Sequence, residues 1–158
     1  MRRKIFTGLV ICWMTVIFIF SARNADTSSQ DSSRIGMLAG QIFIKDFEDW
    51  DLQKQLAFAK EIDHPVRKTA HAAEYAVLGM LLFGACYQMK EQWKKTAVLS
   101  WGVGTFYAAT DEIHQLFVPG RSGQISDVLL DSSGVAAGVI FLLLFSVVIY
   151  YLFKKKKE

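Results

Sequence analysis

Cysteine and proline are scarce in this chain, with two of each among 158 residues. Both cysteines, Cys12 and Cys86, fall inside apolar stretches, so neither belongs to a disulfide framework and each reads as small apolar filler. The two prolines, Pro65 and Pro119, punctuate the chain far too rarely for an ordinary loop-rich soluble globule. Charged residues make up only 21%, no internal repeat is present, and low complexity is confined to the terminal lysines. What fills the chain instead is apolar: 52% of residues are hydrophobic and the mean hydropathy is +0.24.

The apolar residues are clustered. Ile5 to Ser21 is seventeen residues without a charge, Ala76 to Met89 fourteen, Thr96 to Thr110 fifteen, and Gly134 to Phe153 twenty. A helix needs roughly 20 residues to cross hydrocarbon, with about 17 as a lower limit, so the first and last runs read as spans. The middle two reach that length only by drawing in His71 and Glu74 in one case, and Asp111, Glu112, His114 and Gln115 in the other. The competing reading is a pair of buried core helices in a soluble protein. We expect an all-α membrane protein, one domain over residues 1–158, with transmembrane helices at about 5–21, 66–89, 94–117 and 127–153. An amphipathic helical segment at about 33–63 is expected on the extracytoplasmic side, between the first two spans.

Charge placement fits four crossings. With Met1 in the cytoplasm, the inner segments (Met1 to Lys4, Lys90 to Lys95, Lys154 to Glu158) hold ten Lys/Arg and two acids, and the rest holds eight and thirteen. Short basic segments face the cytoplasm, so both termini are expected inside. The basic runs suit anionic lipid headgroups, and nucleic-acid binding is not expected. Met-Arg-Arg-Lys before an apolar run also has the look of a signal peptide. The run is longer than the usual core of one, and the reading favoured here is an uncleaved first helix.

Along the chain, SARNADTSSQDSS reads as a solvated link with helix-capping capacity. From about residue 33, Ile35, Leu38 and Ile42, then Leu52, Leu56 and Ala59, recur at helical spacing, with Trp50 as an interfacial anchor. The alternative is that these helices simply cover the end of the bundle. His64-Pro65 starts the next helix, which carries Lys68, His71, Glu74 and Tyr75 on one side. The third helix has Gly102, Gly104, Ala108 and Ala109, residues that allow close packing, and is expected inside the bundle. At its end Asp111, His114 and Gln115 share a face, with Glu112 a quarter turn away. A turn at Pro119 to Gly123 follows, with Ser126 as the expected cap of the fourth helix. In that helix Asp127, Asp131, Gly134 and Gly138 form one stripe.

Three helix ends thus gather Lys68, His71, Glu74, Tyr75, Asp111, Glu112, His114, Gln115, Arg121, Asp127 and Asp131 into one polar cluster. Ionisable groups at the edge of hydrocarbon usually pair or serve a function. His71-x-x-Glu74 and Asp111-x-x-His114 each put an imidazole and a carboxylate on one face, but His-Glu-x-x-His is missing and no metal or cofactor is expected. Acid–base chemistry is open to His71, Glu74 and His114, the catalytic candidates, although no Ser or Cys stands out as a nucleophile. Anion binding is open to Arg121, beside two glycines at a helix start, with Lys68 assisting. Internal pairing of Arg121 with Asp127 or Asp131 is the purely structural alternative.

The strings FSARNADTSS, RKTAHAAEYAVLG and YAATDEIHQLFVPGRSGQISDVLLDSSGVAAG resemble the VanZ-like family of small bacterial membrane proteins. The resemblance emphasises Lys68, His71, Glu74, Tyr75, Glu112, Gln115, Pro119, Gly120, Arg121, Asp127, Asp131 and Gly134, and His114 agrees with it. It departs at Arg23, where many relatives have glutamine. It implies a multi-pass protein of the bacterial cell membrane, and the family takes its name from a member associated with teicoplanin resistance. The partners implied are membrane lipids, with a lipid-linked cell-wall precursor or a glycopeptide as candidate ligands. An enzyme acting on such a precursor, or a ligand-free assembly partner, are the alternatives.

Overall fold

The computed structural model describes residues 2–86 and 92–155, and it is all-α. The helices are α1 (Arg2–Ser21), α2 (Ala25–Phe43), α3 (Leu52–Glu61), α4 (Asp63–Cys86), α5 (Trp93–Gln115) and α6 (Ile125–Lys155), with a 3-10 turn over Phe47–Asp49. Three segments, Arg3–Ser21, Asp63–Cys86 and Ile125–Ile149, are long and apolar enough to cross a membrane. The 23 residues of α5 give it a length of about 35 Å at 1.5 Å per residue, enough to span, but its polar content keeps it below the same hydropathy. The basic turn expected at 90–95 lies partly outside the described residues, as does the end of the lysine tail at 156–158.

The segment read as a solvated link is largely helix. Asn24 is the N-cap of α2, its side chain accepting the Thr27 amide at 2.9 Å, with Asp26 complementing the helix dipole in the first turn. Serines are weak helix formers because they compete for their own backbone. Here that competition is answered by tertiary contacts: the Ser32 hydroxyl returns to the Ser28 carbonyl and also donates to Asp63, which accepts from Ser29 as well. α2 folds back on α3 where Gly36 meets Ala59 and Gly40 lies against the buried Phe47 ring. The Phe47 ring meets Trp50 and Phe58 at 5.1 and 5.5 Å between centroids.

α4 is the hub, packing most extensively on α6 and also on α1, α5 and α2. Tyr75, Leu78 and Phe83 of α4 form the core with Val10 and Ile17 of α1, Ala108 of α5, and Val135 and Val139 of α6. Two hydrogen bonds fasten α1 across the bundle: Trp13 Nε1 donates to the Glu74 carbonyl at 2.9 Å, and the Tyr107 hydroxyl donates to the Met14 carbonyl at 2.7 Å. The α4–α6 seam is backbone against backbone. A methyl group added at Gly79, Gly134 or Gly138 would run into Val135, Ala72 and Ala76 main-chain atoms respectively.

α5 is not enclosed, contrary to expectation. Gly104 and Ala108 face α6 and the core, but Val98, Leu99, Phe106 and Ile113 are all exposed, and Gly102 has open space beside it. The polar side chains Ser100, Asp111, Glu112 and Gln115 are the buried ones. A helix that is polar inward and apolar outward reverses the pattern of a surface helix in water.

Gly138→Ala is therefore expected to destabilise the protein by about 1–3 kcal/mol, because the added methyl must separate α4 from α6. Gly102→Ala, with nothing within 4 Å, should be neutral or stabilising by up to about 1 kcal/mol. Thermal unfolding of the two variants in detergent, followed by tryptophan fluorescence, checks the contrast.

Candidate functional site

The site lies where α4 and α6 begin and α5 ends. Pro65 stands in the first turn of α4, where the missing N–H costs nothing, and the helix behind it sets His64, Arg67, Lys68 and His71 toward α6. Opposite them, α5 ends at Gln115 and turns through Leu116 to Val118. Gly120 then adopts φ +74°, a left-handed conformation that a residue with a Cβ resists, so that Arg121 is delivered back over the helix ends.

These elements enclose a cavity of about 160 Å³. Of the polar residues singled out in the sequence, Lys68, His71, Glu112, Gln115, Arg121, Asp127 and Asp131 line it. Glu74, Tyr75, Asp111 and His114 do not. Glu74 lies beside His71, with Oε2 4.0 Å from Nδ1, too long for a hydrogen bond. Tyr75 is fully buried against Tyr107, with its hydroxyl unbonded. Asp111 accepts from Gln115 at 3.3 Å through one oxygen and has no partner on the other. His114 is turned toward α1, its ring 4.6 Å from that of Phe18. Face sharing with Asp111 does not bring it to the cavity. Among the described residues no three His, Cys, Asp or Glu side chains are grouped to hold a metal ion.

The charges in the wall are mostly satisfied by one another. Lys68 Nζ donates to Asp127 Oδ1 at 2.6 Å, so Asp127 is the partner of Lys68 and not of Arg121. Arg67 pairs with Asp63 at 3.0 Å, one helical turn away. Glu112 accepts the Gln124 amide at 2.9 Å and the Gln115 side-chain amide at 3.1 Å. The first amide at the start of α6 is thus taken by a carboxylate, and the Asp127 and Val128 amides go to the Gln124 carbonyl. Gln124 caps this helix; Ser126 bonds to Gln124 and Asp127 side chains instead.

Two groups are left over. Arg121 donates through Nε to the Arg23 carbonyl at 3.2 Å and has no carboxylate within 4 Å among the described residues. Burial, and then the nearby positive charge of Arg67, draw the guanidinium's pKa below its ordinary value, while Asp111, Glu112 and Glu74 oppose the shift. Asp131 is 1% exposed and its carboxylate makes no hydrogen bond or ion pair among the described residues. The Arg23 contact also explains how the turn is held: the Ala25 amide donates to the Pro119 carbonyl, and Arg23 itself pairs with Asp31.

Arg67 and His64 line the cavity without having been singled out. For Arg67 the signal was present: Asp63, Arg67 and His71 follow at i, i+4 spacing on one helical face.

A helical bundle with three membrane-capable helices and buried ionisable groups gathered at one end is a membrane protein in construction. Residues 6–152 match the VanZ/LLP1 family model, and the chain belongs to that family. No curated protein and no solved structure matches it.

Because Glu112 supplies the acceptor at the start of α6, Glu112→Ala should cost about 1–2 kcal/mol of stability, with Glu112→Gln intermediate. Hydrogen exchange at the Gln124 amide reports the loss directly, and unchanged protection in the alanine variant would contradict the capping role.

Proposed function

We propose that the chain crosses the bacterial membrane four times with both termini in the cytoplasm, and that its cavity faces outward and binds a lipid or glycan headgroup. Through that binding it contributes to glycopeptide resistance, teicoplanin being the compound the family's name points to. Four crossings are supported by α5, which exposes Val98, Leu99, Phe106 and Ile113 while burying Ser100, Asp111, Glu112 and Gln115, a pattern that suits lipid better than water. The orientation is supported by the basic segments at residues 1–4, 90–95 and 154–158. Between α1 and α4, the exposed Ile35, Leu38, Ile42, Leu52 and Leu56 suit helices lying in the outer interface.

The observation that carries the binding reading is the free guanidinium. Arg121 is half-buried in a cavity wall with no ion-pair partner among the described residues, and Arg presents donors in a fork that matches phosphate and carboxylate oxygens. A catalytic reading has one observation in its favour, the unbonded His71 Nδ1 in the cavity wall, and predicts headgroup turnover that His71→Ala abolishes.

On a background with Cys12 and Cys86 replaced by serine, single cysteines at Lys45 and Ser122 should react with an impermeant maleimide added outside the cell, and one at Lys94 should not. Labelling of the Lys94 site from outside would refute four crossings in this orientation. Expression in a susceptible bacterium should raise the inhibitory concentration of teicoplanin several-fold. Arg121→Ala, and Asp127→Asn, which frees Lys68, should each remove that gain at unchanged protein level.

A further inference from the structure

Resting on the headgroup reading above, we infer that the cavity is built for a zwitterionic headgroup, a phosphate joined to a primary ammonium, with the phosphate on Arg121 and the ammonium on Asp131. Three observations lead there. The cavity wall holds three cationic side chains, Arg67, Lys68 and Arg121, and three carboxyl side chains, Glu112, Asp127 and Asp131, so their formal charges balance and no formal excess of positive charge selects a purely anionic ligand. Two of the cations and two of the carboxylates are already engaged, Lys68 with Asp127, Arg67 with Asp63, and Glu112 with the Gln124 amide. What remains is one cation and one carboxylate, and the carboxylate is almost wholly buried with no partner. A buried acceptor without a donor is rare in native proteins and calls for a donor from elsewhere.

The donor must carry N–H. A quaternary ammonium has none to give a carboxylate, and proteins that hold such groups surround them with aromatic faces. Among the described residues no Trp, Tyr or Phe lines this cavity. A glycerol headgroup offers hydroxyls but no positive charge, and its phosphate adds negative charge beside Asp127 and Glu112. The volume, about 160 Å³, admits a small headgroup. A phosphoethanolamine-type group meets charge, donor and size together.

The test uses the full chain in detergent with short-chain phosphatidylethanolamine, its N-methyl, N,N-dimethyl and choline forms, short-chain phosphatidylglycerol, and free O-phosphoethanolamine. Affinity should be greatest for the ethanolamine lipid, by about tenfold over both the glycerol and choline lipids, and should fall with each added methyl. Asp131→Asn should bring the ethanolamine and choline lipids within about twofold of each other, Asp131→Glu should keep the preference, and Arg121→Ala should weaken both lipids together. Free O-phosphoethanolamine binding as well as the lipid assigns recognition to the headgroup alone; binding of the lipid only assigns a phospholipid. Equal affinity for ethanolamine and glycerol lipids, or no response to methylation, overturns the inference even if Asp131→Asn fails to fold. If both lipids then lose affinity in Arg121→Ala, the headgroup reading survives, whereas no phospholipid binding at all removes both.

Discussion

Everything at the polar end depends on how closely α4 and α6 approach. Gly79 under Val135, Gly134 under Ala72 and Gly138 under Ala76 let the two backbones touch over more than a helical turn on each helix. Without hydrophobic driving force between helices in lipid, such contact is what dispersion and main-chain dipoles can use. The seam also fixes register. One turn beyond it, Lys68 and His71 stand across from Asp127 and Asp131, and the 2.6 Å bond from Lys68 to Asp127 is available only at that spacing. Any side chain at the three glycines would widen the seam and pull those partners apart before it touched the cavity itself.

Given that register, the site is an arrangement of charges in which nearly every one has been assigned. Partly exposed ion pairs add little stability but help to specify geometry, and here they do so in sequence. Asp63 holds Arg67 and receives Ser29 and Ser32, which ties α2 to the start of α4. Glu112 holds the start of α6 against the end of α5, and Gln115 bridges Glu112 to Asp111. The turn carrying Arg121 is fastened through Arg23 and Ala25 to the junction of α1 and α2. Among the charged side chains that line the cavity, Arg121 and Asp131 are the two without an ion pair or a hydrogen-bonded charge partner.

Much of this could be read from the chain. Runs of apolar residues place the helices, and the Asp127, Asp131, Gly134, Gly138 stripe does face α4. Residues one or two turns apart on a single helix, such as Lys68 and His71, are grouped by geometry alone. The failures have physical causes. α2 begins at Ala25 because Ser32 finds Asp63, a partner 31 residues away that local propensity cannot see. His114 shares a helical face with Asp111, but a face says nothing about which neighbour occupies it, and Phe18 does. α5 looked internal because Gly102, Gly104, Ala108 and Ala109 allow close packing, which also accounted for its weak mean hydropathy. An average hides that Ser100, Asp111, Glu112 and Gln115 are buried while Val98, Leu99, Phe106 and Ile113 are exposed.

The start of α6 sharpens what kind of anion site this can be. A glycine-flanked turn leading into a helix suggests a phosphate held by backbone amides and the helix dipole. In this protein Glu112 already occupies that position, bonded to the Gln124 amide, and its negative charge would repel a phosphate placed there. Moving Glu112 aside would expose the amide but strand a buried carboxylate, so the exchange has little to favour it. Under the headgroup reading, binding goes through the Arg121 guanidinium, anchored by its own Nε to the Arg23 carbonyl. Under that reading the anchoring makes the link between α1 and α2 part of the site, although among the described residues no side chain from it lines the cavity.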